Sequence, residues 1–170
     1  FRDGPVKVGR DREFTQCDVD VVGLSNQMIE AELLSLYVNA FTKLNIEINI
    51  KYNSRKLMKG LILDTGVKEE LVPSTITIID KIDKLTTEEL TQNFIELGLE
   101  EKQITLLLKY FKLSLEELNN RFKDTTNQDI KEGLEELNNL EEYIIKMNLR
   151  EYCTFTSSLA RGQDYYTGNV

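Results

Sequence analysis

The chain of 170 residues has no histidine, no tryptophan, only two cysteines and only two prolines. Without histidine, Cys/His zinc sites and histidine-based catalysis are excluded within it. Cys17 and Cys153 show no metal-ligand spacing, so both are expected as small packed side chains rather than as a disulfide. No apolar run approaches the roughly 20 residues of a membrane span. The opening "FRDGPVKVGR" lacks the hydrophobic core and cleavage pattern of a signal peptide, so a cytoplasmic location without a membrane partner is expected. Positive charge is short as well: 21 Lys and Arg stand against 29 Asp and Glu, a net charge of -8. That field opposes nonspecific attachment to nucleic acid or to an anionic membrane, and any RNA contact has to be local.

What is present is the composition of a soluble globular protein, enough to bury one sizeable core or two small ones. The first residue is Phe1, not methionine, and the chain stops in the strand-like "YYTGNV". An excerpt of a larger enzyme is the expectation.

From Glu13 to Val22 the residues alternate with period two. A strand there sets Arg12, Phe14, Gln16, Asp18 and Asp20 on one face and Cys17, Val19 and Val21 on the other. Gly23 ends it, Ser25 or Asn26 caps the next element, and Ile29, Leu33, Leu36, Tyr37, Ala40 and Phe41 form a helical apolar stripe. "IEINIKY" returns to strand, with Ile46, Ile48 and Ile50 on one side. After Asn53, read as a cap, short helical patterns follow one another to about Asn148: "SRKLMKGLILDTG", "PSTITIIDKIDKL", "TTEELTQNFIELG", "EEKQITLLLKYFK", "SLEELNNRFK" and "DIKEGLEELNNLEEYIIKMN". Several open with Ser or Thr followed three residues later by Glu, and two close on glycine. "EYCTFTSS" is strand-like again. The predicted fold class is α+β, an antiparallel sheet interrupted by an all-helical insertion. The parts are residues 1–53, the helical insertion 54–148, and residues 149–170.

Two polar stretches carry the chemistry. In "GRDREFTQCDVDVVG" the polar face reads either as the solvated side of a sheet or as a nucleotide site. For the second reading, the Phe14 ring lies in line with Arg10 and Arg12, an arrangement suited to a base and its phosphates. Gln16 and Asp20 continue the line with an amide and a carboxylate, able to read an amino group and a ring N–H. The loop "DGPVKVG", with Lys7, is either a phosphate-approaching loop or an ordinary hairpin connection. In "LARGQDYYTGNV", Arg161, Asp164, Tyr165 and Tyr166 crowd together, either as a surface charge, a turn residue and two strand-favouring aromatics or as part of a pocket, into which alternation allows at most one of the two tyrosine hydroxyls. Lys102, Lys109 and Lys112 fall roughly on one helical face, with Arg121 and Lys123 nearby in sequence, and form either an ordinary solubilising face or a candidate phosphate-binding surface.

At these two motifs the sequence resembles the histidyl-tRNA synthetases, class II aminoacyl-tRNA synthetases. "FR…GRDREFTQCDVDVVG" is similar to the second class II motif in its histidine-specific form, and "LARGQDYYTGNV" to the signature RGLDYYTG. "NSRKLMKGLI" and "IIDKIDKL" resemble the family's helical insertion. The resemblance covers essentially the whole chain. It implies an ATP-dependent ligase that activates histidine to histidyl-adenylate and transfers it to the 3′ end of tRNA(His), as a homodimer, with Mg2+ accompanying ATP.

Carried over residue by residue, the resemblance gives Arg2 to the α-phosphate, Arg10 to the terminal phosphates and Phe14 to the adenine ring. Gln16 goes to the amino group of histidine, and Asp20 and Tyr166 to its imidazole, with Tyr165 contributing through backbone or packing. Arg161 goes to the substrate carboxylate and α-phosphate, as the catalytic group. Lys7, Lys102, Lys109 and Lys112 are the tRNA candidates. The chain departs from the family pattern at Gly4, where an acidic residue is usual, and at Gln163, where leucine is common. The first and third class II motifs and the anticodon-binding domain are absent from it, so the chain alone is expected to be inactive. Two other readings stand beside this one. One is a non-catalytic paralogue, such as the regulatory subunit of ATP phosphoribosyltransferase or the synthetase-like domain of a stress kinase; the other is an RNA-binding helical module.

Overall fold

The structure, a computed structural model, describes residues 1, 3–23, 26–160 and 168–170. The helical patterns fold as helices where capping chemistry and apolar spacing coincide. α1 (Gln27–Lys43) starts at Asn26, whose side chain accepts from the Met28 N–H at 2.8 Å. A short strand β1 (Ile50–Tyr52) leads into α2 (Arg55–Asp64). α3 (Val72–Ile79), α4 (Thr87–Glu96), α5 (Glu101–Tyr110), α6 (Leu115–Arg121) and α7 (Gln128–Lys146) follow, and β2 (Cys153–Phe155) closes the order. The capping boxes are built at Thr86 with Glu89 and at Ser114 with Glu117. A third uses Glu100 and Gln103, and the free end of Gln103 also donates to the Gly66 carbonyl at 2.8 Å, tying α5 to the end of α2. Gly66 and Gly98 stop their helices at positive φ, 85° and 94°, where a Cβ would be strained.

The core runs without a break from Ala31 and Val38 of α1 through the helices to Cys153 and Ala160. Its centre is the contact of α2 with α7. A Cβ on Gly133 would stand 2.4 Å from the Leu57 backbone nitrogen, and one on Gly60 2.7 Å from that of Ile130. These two glycines let the helix backbones meet, at the cost in helix propensity that glycine carries. Leu57, Leu61, Ile62, Leu137 and Leu140 fill the space around them, each worth about 2 kcal/mol of burial. Farther along the block, the Tyr110 hydroxyl donates to Asp64 at 2.6 Å and accepts from Arg121, whose guanidinium lies over the Tyr110 ring at 4.9 Å.

β1 and β2 pair in parallel, Ile50 with Cys153, Lys51 with Thr154 and Tyr52 with Phe155. The α+β class with a helical block stands, but the strands named here are parallel, not antiparallel. A parallel pair needs a crossover between its strands, and the whole helical block supplies it. Antiparallel contact is confined to isolated bridges, Lys7 with Arg10 and Ser54 with Asn169.

Four further expectations are corrected. Glu13–Val22 is not a strand: no described segment pairs with it, and a strand is defined by a neighbour that takes up its backbone groups. Cys17 is therefore exposed rather than packed, while Cys153 is buried, and both are free thiols. On α1 Ile29 of the expected stripe is buried, but the rest of the packed face is Ala31, Leu34 and Val38, with Leu36 and Tyr37 of that stripe each 43% exposed. The helix carries apolar residues on both sides, and α7 selects one of them. Finally, Ser54, not Asn53, caps α2: its hydroxyl accepts from the Leu57 N–H.

Candidate substrate-binding site

The first group of site residues lies on the N-terminal stretch. Its tip is a turn in which the Lys7 N–H donates to the Arg10 carbonyl at 3.3 Å and the Arg10 N–H returns to Lys7 at 2.8 Å. Gly9 sits inside the turn at φ 72°. This is the hairpin connection the glycines allow, and it leaves both Lys7 and Arg10 in solvent. Arg12 donates its Nε to the Gly4 carbonyl at 3.1 Å, bracing the stem. Phe14 is 39% exposed. Gln16 donates to Asp18 at 3.4 Å, the two lying on one side of an extended chain as alternation requires, and Asp20 is exposed. Arg10, Phe14, Gln16 and Asp20 thus line up in sequence order without being enclosed. Arg2 lies outside the described residues.

The second group sits in the stretch 161–167, which lies outside the described residues, so Arg161, Tyr165 and Tyr166 have no described placement. Its two flanks are described, and both are anchored at the β1–α2 junction. The Asn53 side-chain amide donates to the carbonyls of Ser157 and of Leu159, each at 3.0 Å. The Asn53 backbone exchanges two hydrogen bonds with Val170, at 2.9 and 2.8 Å, and the Arg55 N–H donates to the Gly168 carbonyl at 3.0 Å. Asn169 donates its side-chain amide to Glu30 of α1. Burial raises the Glu30 carboxyl above its usual range; the Asn169 hydrogen bond works in the opposite sense, and the charge of Glu136 adds to the rise. Nearby, Lys56 bridges Glu136 at 2.7 Å and Glu132 at 3.0 Å, joining α2 to α7. Hydrogen bonds to these two carboxylates push its ammonium up.

Asn53, Glu30 and Asn169 were not found as site-related residues by sequence reasoning. Asn53 is followed by an equally good cap in Ser54, and its partners are main-chain carbonyls more than a hundred positions away.

The tRNA candidates Lys102, Lys109 and Lys112 are exposed along and just beyond α5 and take part in no ion pair among the described residues. Arg121 is committed to Tyr110 and Phe122, and Lys123 stands 3.9 Å from Asp124. No group of three or more Cys, Asp or Glu able to hold a metal ion occurs among the described residues. No helix there is long and apolar enough to cross a membrane.

Comparison with known proteins places this arrangement. The family model described as Histidyl-tRNA synthetase matches residues 1–170. The Histidine--tRNA ligase 1 of Bacillus anthracis is 38% identical over 174 residues, covering 100% of this chain and 40% of that protein. The mitochondrial Histidine--tRNA ligase of Saccharomyces cerevisiae is 37% identical over 179 residues, covering 99% of this chain and 33% of that protein. The chain therefore spans well under half the length of these relatives. Among solved structures, histidyl-tRNA synthetase from Nostoc sp. PCC 7120 superposes with a TM-score of 0.81 at 21% identity, over 86% of this chain and 36% of that one. An ATP phosphoribosyltransferase regulatory subunit/histidyl-tRNA synthetase from Bacillus halodurans gives 0.71 at 17% identity, over 86% and 39%. At those identities the structural likeness speaks for the fold, and the full-length sequence match for descent: the chain belongs to the histidyl-tRNA synthetase family.

Proposed function

We propose that this chain is the part of a histidine–tRNA ligase that runs from the second class II motif to the histidine-specific motif. Residues 54–148 are its helical insertion, and residues 1–53 and 149–170 are parts of its catalytic domain. The observation that carries the reading is the retention, within one family match over residues 1–170, of both motifs with their polar residues intact: Arg10, Phe14, Gln16 and Asp20 in the first, Arg161, Tyr165 and Tyr166 in the second.

In this reading Arg2 and Arg10 hold the phosphates of ATP, and Phe14 stacks on adenine. Gln16 takes the amino group of histidine, and Asp20 and Tyr166 take its two ring nitrogens. A carboxylate oxygen of histidine attacks the α-phosphorus, the bond to the bridging oxygen breaks, and pyrophosphate leaves with that electron pair. Negative charge concentrates on phosphorus in the transition state, and the planar Arg161 guanidinium stabilises it by bridging two oxygens. The 3′ hydroxyl of tRNA(His) then attacks the acyl carbon and AMP departs. Mg2+ would accompany the nucleotide phosphates that Arg2 and Arg10 hold. Lys7, Lys102, Lys109 and Lys112 face the tRNA backbone. A homodimer and a cytoplasmic location go with this reading.

The test is histidine-dependent exchange of pyrophosphate into ATP. The longer protein carrying this chain exchanges; residues 1–170 alone do not rise above blank. In the longer protein, Asp20→Ala weakens histidine by about 1–3 kcal/mol and leaves ATP binding nearly intact. A longer protein without exchange that instead activates ATP phosphoribosyltransferase would move the chain to the regulatory paralogues, whose fold it shares.

A further inference from the structure

Three polar side chains from three parts of the chain meet where α1 leans on α7. Glu30 of α1 is half-buried and accepts from the Asn169 side-chain amide. Glu136 of α7 lies close enough for its charge to act on Glu30. Two oxygens of this group, Glu136 Oε2 and Asn169 Oδ1, are buried and accept no hydrogen bond. The cation beside them, Lys56 of α2, directs its ammonium to the other Glu136 oxygen at 2.7 Å and to Glu132 at 3.0 Å. Arg55, at the start of α2, has its backbone against Gly168, and Glu32 of α1 is exposed. An ionised Glu30 offers acceptors only, whereas the neutral acid brings one O–H donor to a place where two buried acceptors lack one. Burial disfavours the charged form of Glu30 and the like charge of Glu136 adds to this, so its carboxyl lies above the usual range in spite of the Asn169 hydrogen bond.

We propose that a proton closes the seam between α1 and α7. The Glu30 carboxylate takes it up from solvent, and the resulting O–H donates to the unmet oxygen of Glu136 or of Asn169. Loss of that proton at higher pH loosens α1 from α7. The direction follows from linkage: the native carboxyl lies above its unfolded value, so between the two the folded state binds more protons. The seam is at full strength below the unfolded value, weakens as pH rises through the native one, and stays weaker above it. α1 precedes the helical block and α7 closes that block, so the proton acts on the joint between two parts of the chain rather than on the interior of either. The device does not depend on the ligase reading above.

The test is hydrogen exchange in the longer protein, wild type and Glu30→Gln, from about pH 8 down to the usual carboxylate range, with rates taken relative to intrinsic ones. Glutamine has the volume of the neutral acid, cannot ionise, and offers an N–H donor at every pH. At the alkaline end, amides of α1 and α7 are expected to be at least about fivefold better protected in Glu30→Gln than in wild type, with those of α5 equal in the two. The gap closes as pH falls and the wild-type Glu30 takes up its proton. Wild type alone supplies a second measurement: its α1 protection falls as pH rises while that of α5 holds. Protection of α1 in wild type that does not change with pH overturns the proposal whatever the variant does. So does a Glu30→Gln protein that is equal to or less protected than wild type at the alkaline end, that fails to fold there, or whose change is spread evenly over α5.

Discussion

Residues 5–23 and the helical block 54–148 are both rich in alternating apolar and polar residues, yet every one of the first is exposed while the second encloses most of the core. Val19, Val21 and Val22 have the same chemistry as Leu57, Leu107 and Leu137, and water still reaches them. The difference lies in where each segment's hydrogen-bonding partners reside. A helix satisfies its backbone within itself and needs only a neighbour for one face, which the other helices, α1 included, provide. An extended segment satisfies nothing internally and depends on a strand beside it. Packing and part of the proposed chemistry are therefore separated along the chain: of the proposed ATP and histidine contacts, Arg10, Phe14, Gln16 and Asp20 sit in the dependent stretch.

Hydrogen exchange is the broadest way to break this comparison. Amides of "QITLLLKYF" in α5 are expected to exchange more slowly than those of "FTQCDVDVV", relative to intrinsic rates, by a factor on the order of a thousand. Equal protection would mean that the N-terminal stretch finds a partner in solution. Next in size is Gly133→Ala. The added methyl meets the Leu57 backbone, which cannot rotate away, so helices α2 and α7 must separate. A loss of about 3 kcal/mol in urea unfolding is expected, against the gain that alanine gives in an exposed helix. A neutral result would show that the two helices are less closely docked.

Thr86→Ala removes the hydroxyl that accepts from the Glu89 N–H at the start of α4, with an expected loss of about 1 kcal/mol in the same assay. At the small end, Asp20→Ala and Val22→Ala, both at exposed positions, should shift stability by less than about 0.5 kcal/mol. A larger effect from either would sharpen the comparison by revealing a contact of the N-terminal stretch with the block.

The helices were legible because their signals are local. Thr86 with Glu89, Ser114 with Glu117, and the terminal glycines Gly66 and Gly98 lie within a few residues of what they cap or stop. What depended on distant partners was not legible. The packed side of α1 could not be told from the sequence, since Leu36 and Tyr37 are as apolar as Leu34 and Val38 and only α7 distinguishes them. The role of Gly60 and Gly133 depends on the opposing backbone, which their local sequence does not record. The candidate site was legible as two motifs, through chemistry and family resemblance. The grip of Asn53 on the second was not, because its partners are carbonyl groups, which every residue has and no one-letter code records.

The close seat of α2 on α7 also bears on how the molecule assembles in time. These helices stand at opposite ends of the helical block, so their contact closes a long loop and yields no stabilisation until that loop's entropy has been met. α4, α5 and α6, each with its own capping box, nucleate from short-range contacts on a faster clock. The order that follows is local helices first and the α2–α7 seat last. Since β1 and β2 flank those two helices, their parallel pairing, and with it the anchoring of the chain around Asn53, is then among the final events of folding.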